Sequence, residues 1–148
     1  MARVLGIDYG QRRVGLALGD PSGTIASPLP TLARRRGKRP PVAAVLTLID
    51  DHDVHDVVLG LPLDLSGEET DWTREVRAFG DAIARRAGLA VHYVDERMTS
   101  VRAERTIRSL GLPRGERERK ERVDAAAAVL ILQAWLDSAR RNVDSEAS

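Results

Sequence analysis

The hydrophobic period of the chain changes near residue 40, and no other sequence feature constrains the fold as strongly. Three stretches before that point are rich in Val, Ile, Leu and Thr: residues 3–8, 13–19 and 24–32. Gly10 and the turn sequence at residues 20–23 separate them, and connections this short predict an antiparallel meander of three strands. Pro28 and Pro30 place the third strand at a sheet edge, because proline cannot donate to a strand ladder.

Beyond residue 40 the apolar residues repeat at helical spacing, first at Val42, Val45, Leu46 and Ile49. A short buried strand is predicted over residues 56–60. The following helix has a predicted capping box at Ser66 and Glu69, and it ends at Gly88. Its apolar stripe consists of Trp72, Val76, Phe79 and Ile83.

The rest of the chain is predicted to contain, in order, a strand over residues 90–94, a helix from Thr99 or Ser100 to Leu110, a mobile polar loop over residues 112–122 and a last helix over residues 123–141. Strands that alternate with helices pair in parallel through right-handed crossovers. The sequence therefore predicts an α/β fold, with a five-stranded mixed sheet of three antiparallel and then two parallel strands, flanked by helices. We expect one domain over residues 1–142 and a frayed C-terminal tail over residues 143–148.

The composition narrows the class of protein. The 148 residues carry a formal net charge of +1, which argues against a protein that coats DNA. The two Trp, two Tyr and one Phe offer little surface for stacking bases. The absence of cysteine excludes disulfides and thiolate metal sites, and it fits a reducing cytosol. The sequence shows neither a signal peptide nor a membrane-spanning stretch.

Basic residues are nevertheless concentrated in two clusters. The first contains Arg34, Arg35, Arg36, Lys38 and Arg39. The second, which is diluted by glutamates, contains Arg114, Arg117, Arg119, Lys120 and Arg122. Such clusters on a nearly neutral chain favour local phosphate contacts, and they make Lys120 a candidate substrate-binding residue. Solvated surface loops are the equal alternative.

Two of the predicted strands end in carboxylates. Asp8 follows the apolar residues 4–7, and Asp95 and Glu96 follow the strand over residues 90–94. If these strands are parallel, Asp8 and Glu96 emerge at the carboxyl edge of the sheet, where open α/β sheets bind ligands. The alternatives are an ordinary turn aspartate and the surface acids of a loop that enters a helix, and Asp95 is the alternative to Glu96 as a ligand.

Asp124 is a third acid in an unusual position. It shares a helical face with residues predicted to pack on the sheet, namely Ala127, Ala128, Ile131 and Trp135. Interaction with the helix dipole explains an acid in a first turn, but not on the inward face. Three oxygen donors without Cys or clustered His predict a site for Mg²⁺ or Mn²⁺ rather than Zn²⁺, which suits phosphodiester hydrolysis.

Other residues flank the predicted site. Gly60 and Pro62 close the strand over residues 56–60, either as a tight turn or as one wall of a substrate groove. Arg13 and Arg97 lie beside the acids, either as ligands of phosphate oxygens or as structural partners of the acids.

Four motifs of the chain resemble those of the YqgF/RuvX family, in the same order. They are residues 6–10 with Arg13, Gly15 and Ala17, then residues 60–63, then residues 95–99, and finally the segment 124–133. Together they span nearly the whole chain. Asp64, Met98 and Ser100 replace the family's usual Asn, Leu and Thr, and none of these departures removes an acid.

The resemblance implies a ribonuclease-H-like fold in a bacterial cytoplasmic nuclease, with catalytic acids at Asp8, Glu96 and Asp124. It implies as substrate either the 5′ end of the small-subunit (16S) ribosomal RNA precursor or a Holliday junction. Junction resolution would need a homodimer, because two coordinated cuts are required. Two other interpretations are open: an ATP-binding fold of the actin and sugar-kinase type, which would need a second domain, and a non-catalytic nucleic-acid-binding module.

Overall fold

The computed structural model describes residues 3–34, 39–99 and 117–147, with the side chains of those residues except at positions 98, 117–124 and 142–147. The helices and strands, in chain order, are β1 (Arg3–Tyr9), β2 (Arg13–Gly19), β3 (Ala26–Ala33), α1 (Val42–Asp51), β4 (Val54–Leu61), α2 (Asp71–Ala87), β5 (Ala90–Asp95) and α3 (Arg117–Ala147). A 3₁₀ turn at Glu96–Met98 follows β5 directly.

The five strands form one mixed sheet in the order β3-β2-β1-β4-β5. The first three strands pair antiparallel, whereas β4 pairs parallel to β1 and β5 pairs parallel to β4. This confirms the predicted fold class, and it confirms that the strand carrying Pro28 and Pro30 is an edge strand. The carboxyl ends of β1, β4 and β5 consequently meet at one edge of the sheet.

The two faces of the sheet have separate cores. Leu5, Ile7 and Tyr9 of β1 pack with the residues of α1 and α2 on one face. Val4 packs with α3 residues on the other face. Because side chains alternate along a strand, Asp8 belongs to the α3 face.

Helix α3 packs closely on its face because two glycines allow it. A Cβ on Gly6 would lie 2.6 Å from Leu132 Cβ, and a Cβ on Gly60 would lie 2.5 Å from Ile131 Cδ1. Near the other end of β1, the Cβ position of Gly19 lies 3.7 Å from Leu136 Cδ1. Residue numbers along α3 therefore fall as β1 runs toward its carboxyl end, so the two elements are antiparallel.

Two local predictions are wrong. Helix α2 is capped by Thr70, whose hydroxyl accepts the N–H of Thr73 in a reciprocal capping box, and not by Ser66 with Glu69. The hydroxyl of Ser66 instead donates to Asp64 Oδ1. The predicted ending of α2 at Gly88 is confirmed, since Gly88 adopts a left-handed conformation with φ 68°.

The other wrong prediction is the extent of the last helix. The sequence predicts a loop over residues 112–122 and a helix over residues 123–141, whereas α3 begins at Arg117 and continues to Ala147. Arg, Glu and Lys are strong helix formers, and oppositely charged residues four positions apart in this stretch favour a helix without any apolar periodicity. The predicted helix ending at Leu110 and the first part of the loop, residues 112–116, lie outside the described residues.

None of the helices in the described ranges combines the length and the apolar character that a membrane span requires.

Candidate active site

Asp8 and Glu96 are buried at the carboxyl edge of the sheet. Their exposed fractions are 3% and 4%, and the only other buried polar residue among those described is Thr73. Asp8 is the penultimate residue of β1, and Glu96 opens the 3₁₀ turn after β5. Both residues interact with other groups of the protein. Burying a carboxylate is unfavourable unless donors or cations surround it, so two buried carboxylates at this edge indicate a candidate functional site.

Gly60 lies in β4, the strand between β1, which carries Asp8, and β5, which leads into Glu96. Ile7 pairs with Leu59, so the next residues of β1 and β4 are Asp8 and Gly60, on strands about 4.8 Å apart. A Cβ on Gly60 would lie 3.0 Å from Glu96 Oε1. The carboxylate of Glu96 therefore lies over the bare backbone of β4, the strand between β5 and β1.

The 3₁₀ turn fixes Glu96 in this position. The hydroxyl of Thr99 donates to the Glu96 carbonyl at 3.0 Å, and the Thr99 N–H donates to the same oxygen at 3.2 Å. Asp95 caps the turn, because its Oδ1 accepts the N–H of Arg97 at 2.9 Å. The sequence predicts Thr99 only as a possible first residue of the next helix, although its position three residues after Glu96 is a signal for this hydrogen bond.

Asp95 and Arg97 form a pair of their own. Asp95 follows Tyr93 by two residues, and Tyr93 packs against the α1 and α2 core, so strand alternation directs Asp95 away from the α3 face. Its two oxygens accept from Arg97 Nε at 3.1 and 3.0 Å and from Nη2 at 2.7 Å. This carboxylate holds the pKa of Arg97 above its usual value. Of the two adjacent acids, Glu96 is the one on the face of Asp8.

Arg97 also braces the loop between β4 and α2. Its guanidinium lies beside Gly67, where a Cβ would be 3.1 Å from both Nη1 and Nη2. Asp64 begins this loop and accepts the Ser66 hydroxyl and the N–H of Glu68, and these hydrogen bonds lower the pKa of its carboxyl. The carbonyl of Pro62 accepts the hydroxyl of the buried Thr73, which ties the predicted groove wall to α2.

The third predicted acid, Asp124, and Lys120 both lie in α3, and their side chains are outside the described residues. The helix backbone nevertheless shows how far along β1 these residues lie. Ala128 contacts Gly6, and four helical residues rise about 6 Å while two strand residues rise about 6.6 Å. The backbone of residue 124 therefore lies at about the same height along β1 as Asp8. Among the side chains that are described, no three His, Cys, Asp or Glu residues form a metal-binding group.

The remaining predicted residues have distinct surroundings. Arg13 begins β2, is half-buried and makes its own interactions. Gly10 permits the tight β1–β2 turn, since a Cβ there would lie 2.6 Å from the Arg13 carbonyl oxygen. Arg34, from the first basic cluster, stacks on Tyr9 at 4.4 Å and donates to the Gly10 carbonyl at 2.9 Å. Arg35, Arg36, Lys38 and Arg114 lie outside the described residues.

The donor set fits a hard divalent cation. Asp8 and Glu96 supply carboxylate oxygens on rigid elements, and oxygen donors are what Mg²⁺ and Mn²⁺ prefer. The space for Glu96 over Gly60 is a cradle that any larger residue would fill. The residues present therefore suit the predicted metal ion.

The chain is an α/β protein with two buried carboxylates at the carboxyl edge of its sheet. Comparison with solved structures identifies the fold. The fold is similar to that of T. thermophilus RuvC in complex with Holliday junction substrate, with a TM-score of 0.58 at 16% identity, covering 96% of this chain and 97% of that chain. The fowlpox virus Holliday junction resolvase gives a TM-score of 0.53 at 11% identity, covering 92% and 99%. The predicted ribonuclease-H-like fold is confirmed.

Sequence comparison identifies the family. Residues 2–138 match the RuvX family, described as Holliday junction resolvase. A "Putative pre-16S rRNA nuclease" of Maridesulfovibrio salexigens is 42% identical over 134 residues, covering 90% of this chain and 97% of the relative. A relative of the same name from Koribacter versatilis is 42% identical over 144 residues, covering 97% and 91%. The chain belongs to the RuvX family of nucleases, as its motifs predicted.

Proposed function

We propose that this chain is a metal-dependent endonuclease that hydrolyses phosphodiester bonds in structured nucleic acid. The observation that supports it most strongly is the burial of two carboxylates, those of Asp8 and Glu96, at the carboxyl edge of the sheet, with Glu96 Oε1 beside Gly60. Placing two acids side by side in a protein interior is unfavourable unless cations or donors offset the cost. A catalytic cation would offset it and would explain why the acids are there.

We propose that Asp8, Glu96 and Asp124 together hold Mg²⁺ or Mn²⁺. A bound ion of this kind activates the attacking water and stabilises charge on the leaving oxygen. The chain contributes rigidity: Asp8 lies in a central strand, and hydrogen bonds from Thr99 hold the turn of Glu96. Asp95 is not needed as a ligand in this arrangement, because its carboxylate pairs with Arg97.

The substrate-binding residues remain part of the proposal. Arg13 and Lys120 would contact substrate phosphates, since the first begins β2 at the site edge and the second lies one turn before Asp124. Gly60 and Pro62 would form the groove wall. Arg97 would contribute chiefly by orienting that wall, because two of its nitrogens already bind Asp95.

We propose as substrate the 5′ end of the 16S ribosomal RNA precursor, in the cytoplasm. The names of the relatives at about 40% identity over most of the chain support this assignment. The second candidate, favoured by the description of the matched family, is a four-way DNA junction, which would require a homodimer for two coordinated cuts.

The test compares cleavage of the two substrates with Mg²⁺ or Mn²⁺ by the wild type and by three variants. Asp8→Asn and Glu96→Gln are expected to lower the cleavage rate about 10³-fold, since each removes a carboxylate that serves the metal. Asp95→Asn is expected to lower the rate by no more than about 10–100-fold, as for a residue outside the ligand set. Asp81→Asn, an exposed residue of α2, controls for the change in charge.

The outcomes separate the parts of the proposal. Undiminished cleavage by Asp8→Asn would refute the site. A larger loss for Asp95→Asn than for Glu96→Gln would exchange the roles of these two acids. Cleavage of junctions alone would replace the ribosomal RNA assignment by the resolvase one.

A further inference from the structure

The face of the sheet opposite Asp8 and Glu96 carries an open cleft of about 480 Å³ between the start of α1 and one side of α2. Its floor is apolar and consists of Tyr9, Val42, Phe79 and Ala82, with Ala78 at the side. The cleft is large enough for a nucleotide-sized ligand, and pockets with apolar floors and a few polar groups are the usual binding sites for such molecules.

Three arginines line this cleft: Arg34, Arg39 and Arg86. Each comes from a different part of the chain, namely the end of the β3 segment, the approach to α1 and the last turn of α2. None of the three takes part in an ion pair within the described part of the chain. The cleft therefore concentrates positive charge that no described acid neutralises by direct pairing.

Arg34 is held in one orientation in the cleft. Its guanidinium lies 4.4 Å from the centre of the Tyr9 ring and 5.9 Å from that of Trp72, and Nη1 donates to the Gly10 carbonyl at 2.9 Å. A guanidinium has five N–H donors, so this anchoring leaves donors for an anion. Arginine forks bind phosphate in bidentate geometry, and a fixed fork loses little entropy on binding.

Glu75 is the one acidic residue on the cleft wall among those described. A carboxylate in a site dominated by arginines does not favour a bare anion. It suits a ligand that also presents N–H donors, such as the exocyclic amine of cytosine, guanine or adenine. The cleft thus offers arginines for a phosphate, an apolar floor for a planar base and a carboxylate for an amine.

We propose that this cleft binds a nucleoside monophosphate unit, with its phosphate at the arginines and its base over the apolar floor. The source of the unit is either a free nucleotide or one residue of a bound RNA strand. The cleft is separate from the carboxylate site, yet it shares strand β1 with that site. Tyr9, in the floor, directly follows Asp8, and Arg34 bonds to the next residue, Gly10.

The test measures binding by isothermal titration calorimetry with CMP, GMP, AMP and UMP, with inorganic phosphate and with the corresponding nucleosides. CMP, GMP or AMP, whose bases carry an exocyclic amine, is expected to bind at least tenfold more tightly than phosphate or the nucleoside alone. Arg86→Ala is expected to weaken that binding about tenfold or more, as for the loss of a charged hydrogen bond. Arg85→Ala is the matched control, because Arg85 is the exposed neighbour in α2 that does not line the cleft.

Three results would overturn the proposal: equal binding of phosphate and nucleotide, no saturable binding of any nucleotide, or equal effects of Arg85→Ala and Arg86→Ala. Asp8→Asn is expected to bind nucleotide like the wild type, so failure of the proposed nuclease site and failure of this cleft are distinguishable. Competition with a short single-stranded RNA identifies the source. Displacement of the nucleotide by RNA assigns the cleft to a bound strand, and persistence of nucleotide binding assigns it to a free nucleotide.

Discussion

At the scale of single residues, the site depends on a missing side chain. The Glu96 carboxylate can lie over β4 only because Gly60 has no Cβ, and the same absence allows Ile131 of α3 to pack there. Gly60→Ala would place its Cβ 3.0 Å from Glu96 Oε1 and 2.5 Å from Ile131 Cδ1. We expect this substitution to destabilise the fold by roughly 1–3 kcal/mol, and to reduce cleavage further by displacing the carboxylate.

The control is Gly80→Ala, which overpacks the opposite face. A Cβ there would lie 2.4 Å from the Tyr93 hydroxyl and 3.1 Å from Leu59 Cδ2, away from both acids. Urea denaturation gives the loss of stability for each variant, and cleavage is measured where both are fully folded. Equal activity of the two folded variants would show that Gly60 has no special role beside Glu96.

The same residues show what can be read from sequence. Asp8 and Glu96 could be predicted because each lies where an apolar strand segment finishes, which is a local pattern. The role of Gly60 could not, because it arises from the register in which Gly60 pairs with Val94, and register joins distant parts of the chain. The choice of Glu96 over Asp95 likewise required the direction of strand alternation through Tyr93 and Val94.

At the scale of elements, the start of α2 provides a direct test of the capping assignment. Thr70→Ala removes the acceptor for the Thr73 N–H and is expected to cost about 1 kcal/mol in the free energy of unfolding. Ser66→Ala, at the position that the sequence pattern favoured, is expected to cost less than about 0.5 kcal/mol. Urea denaturation of both variants measures the difference. A larger cost for Ser66→Ala would restore the original assignment.

The sequence could not distinguish these two caps because Ser66 and Glu69 have the correct spacing. In the structure the Ser66 hydroxyl donates to Asp64 and Thr70 caps the helix, and this contact between side chains is not encoded in the spacing. The early start of α3 has a similar origin. Its first residues are charged, so the apolar periodicity of the sequence does not indicate a helix there. Their intrinsic helix propensity is nevertheless high.

The turn between β2 and β3 predicts a dependence of stability on pH. The N–H of Ile25, the Ser22 hydroxyl and the N–H of Thr24 donate to Asp20 and lower its pKa to about 2. A carboxyl whose folded pKa is depressed stabilises the fold above its unfolded pKa of about 4, and that contribution is lost as the pH falls through about 2. We expect Asp20→Asn to be less stable than the wild type at pH 7, with a smaller difference at pH 2. Urea denaturation at both pH values measures it, and a difference independent of pH would contradict the assignment.

At the scale of the whole molecule, α3 connects the site to the rest of the fold. Ile131 and Leu132 are fully buried against the sheet, and Gln133 accepts the N–H of Ala26 at 3.0 Å and donates to the Thr24 carbonyl at 2.8 Å. The helix is thereby fixed across the sheet, from the β2–β3 turn toward Asp8. The proposed ligands come from β1, from the turn after β5 and from α3, so a metal ion would join three elements that are far apart in sequence.

This arrangement predicts that metal binding stabilises the entire fold. A ligand that binds only the folded state at 100 times its dissociation constant adds about 2.7 kcal/mol. For a chain of this size, that raises Tm by roughly 5–10 °C. We expect saturating Mn²⁺ to produce such a shift in the wild type and in Asp81→Asn, measured by thermal denaturation with circular dichroism. Asp8→Asn, Glu96→Gln and Asp124→Asn should each lose most of the shift, because each removes one of the three elements from the metal site. An undiminished shift in Asp124→Asn alone would separate α3 from the site while leaving the acids of β1 and the β5 turn as its ligands.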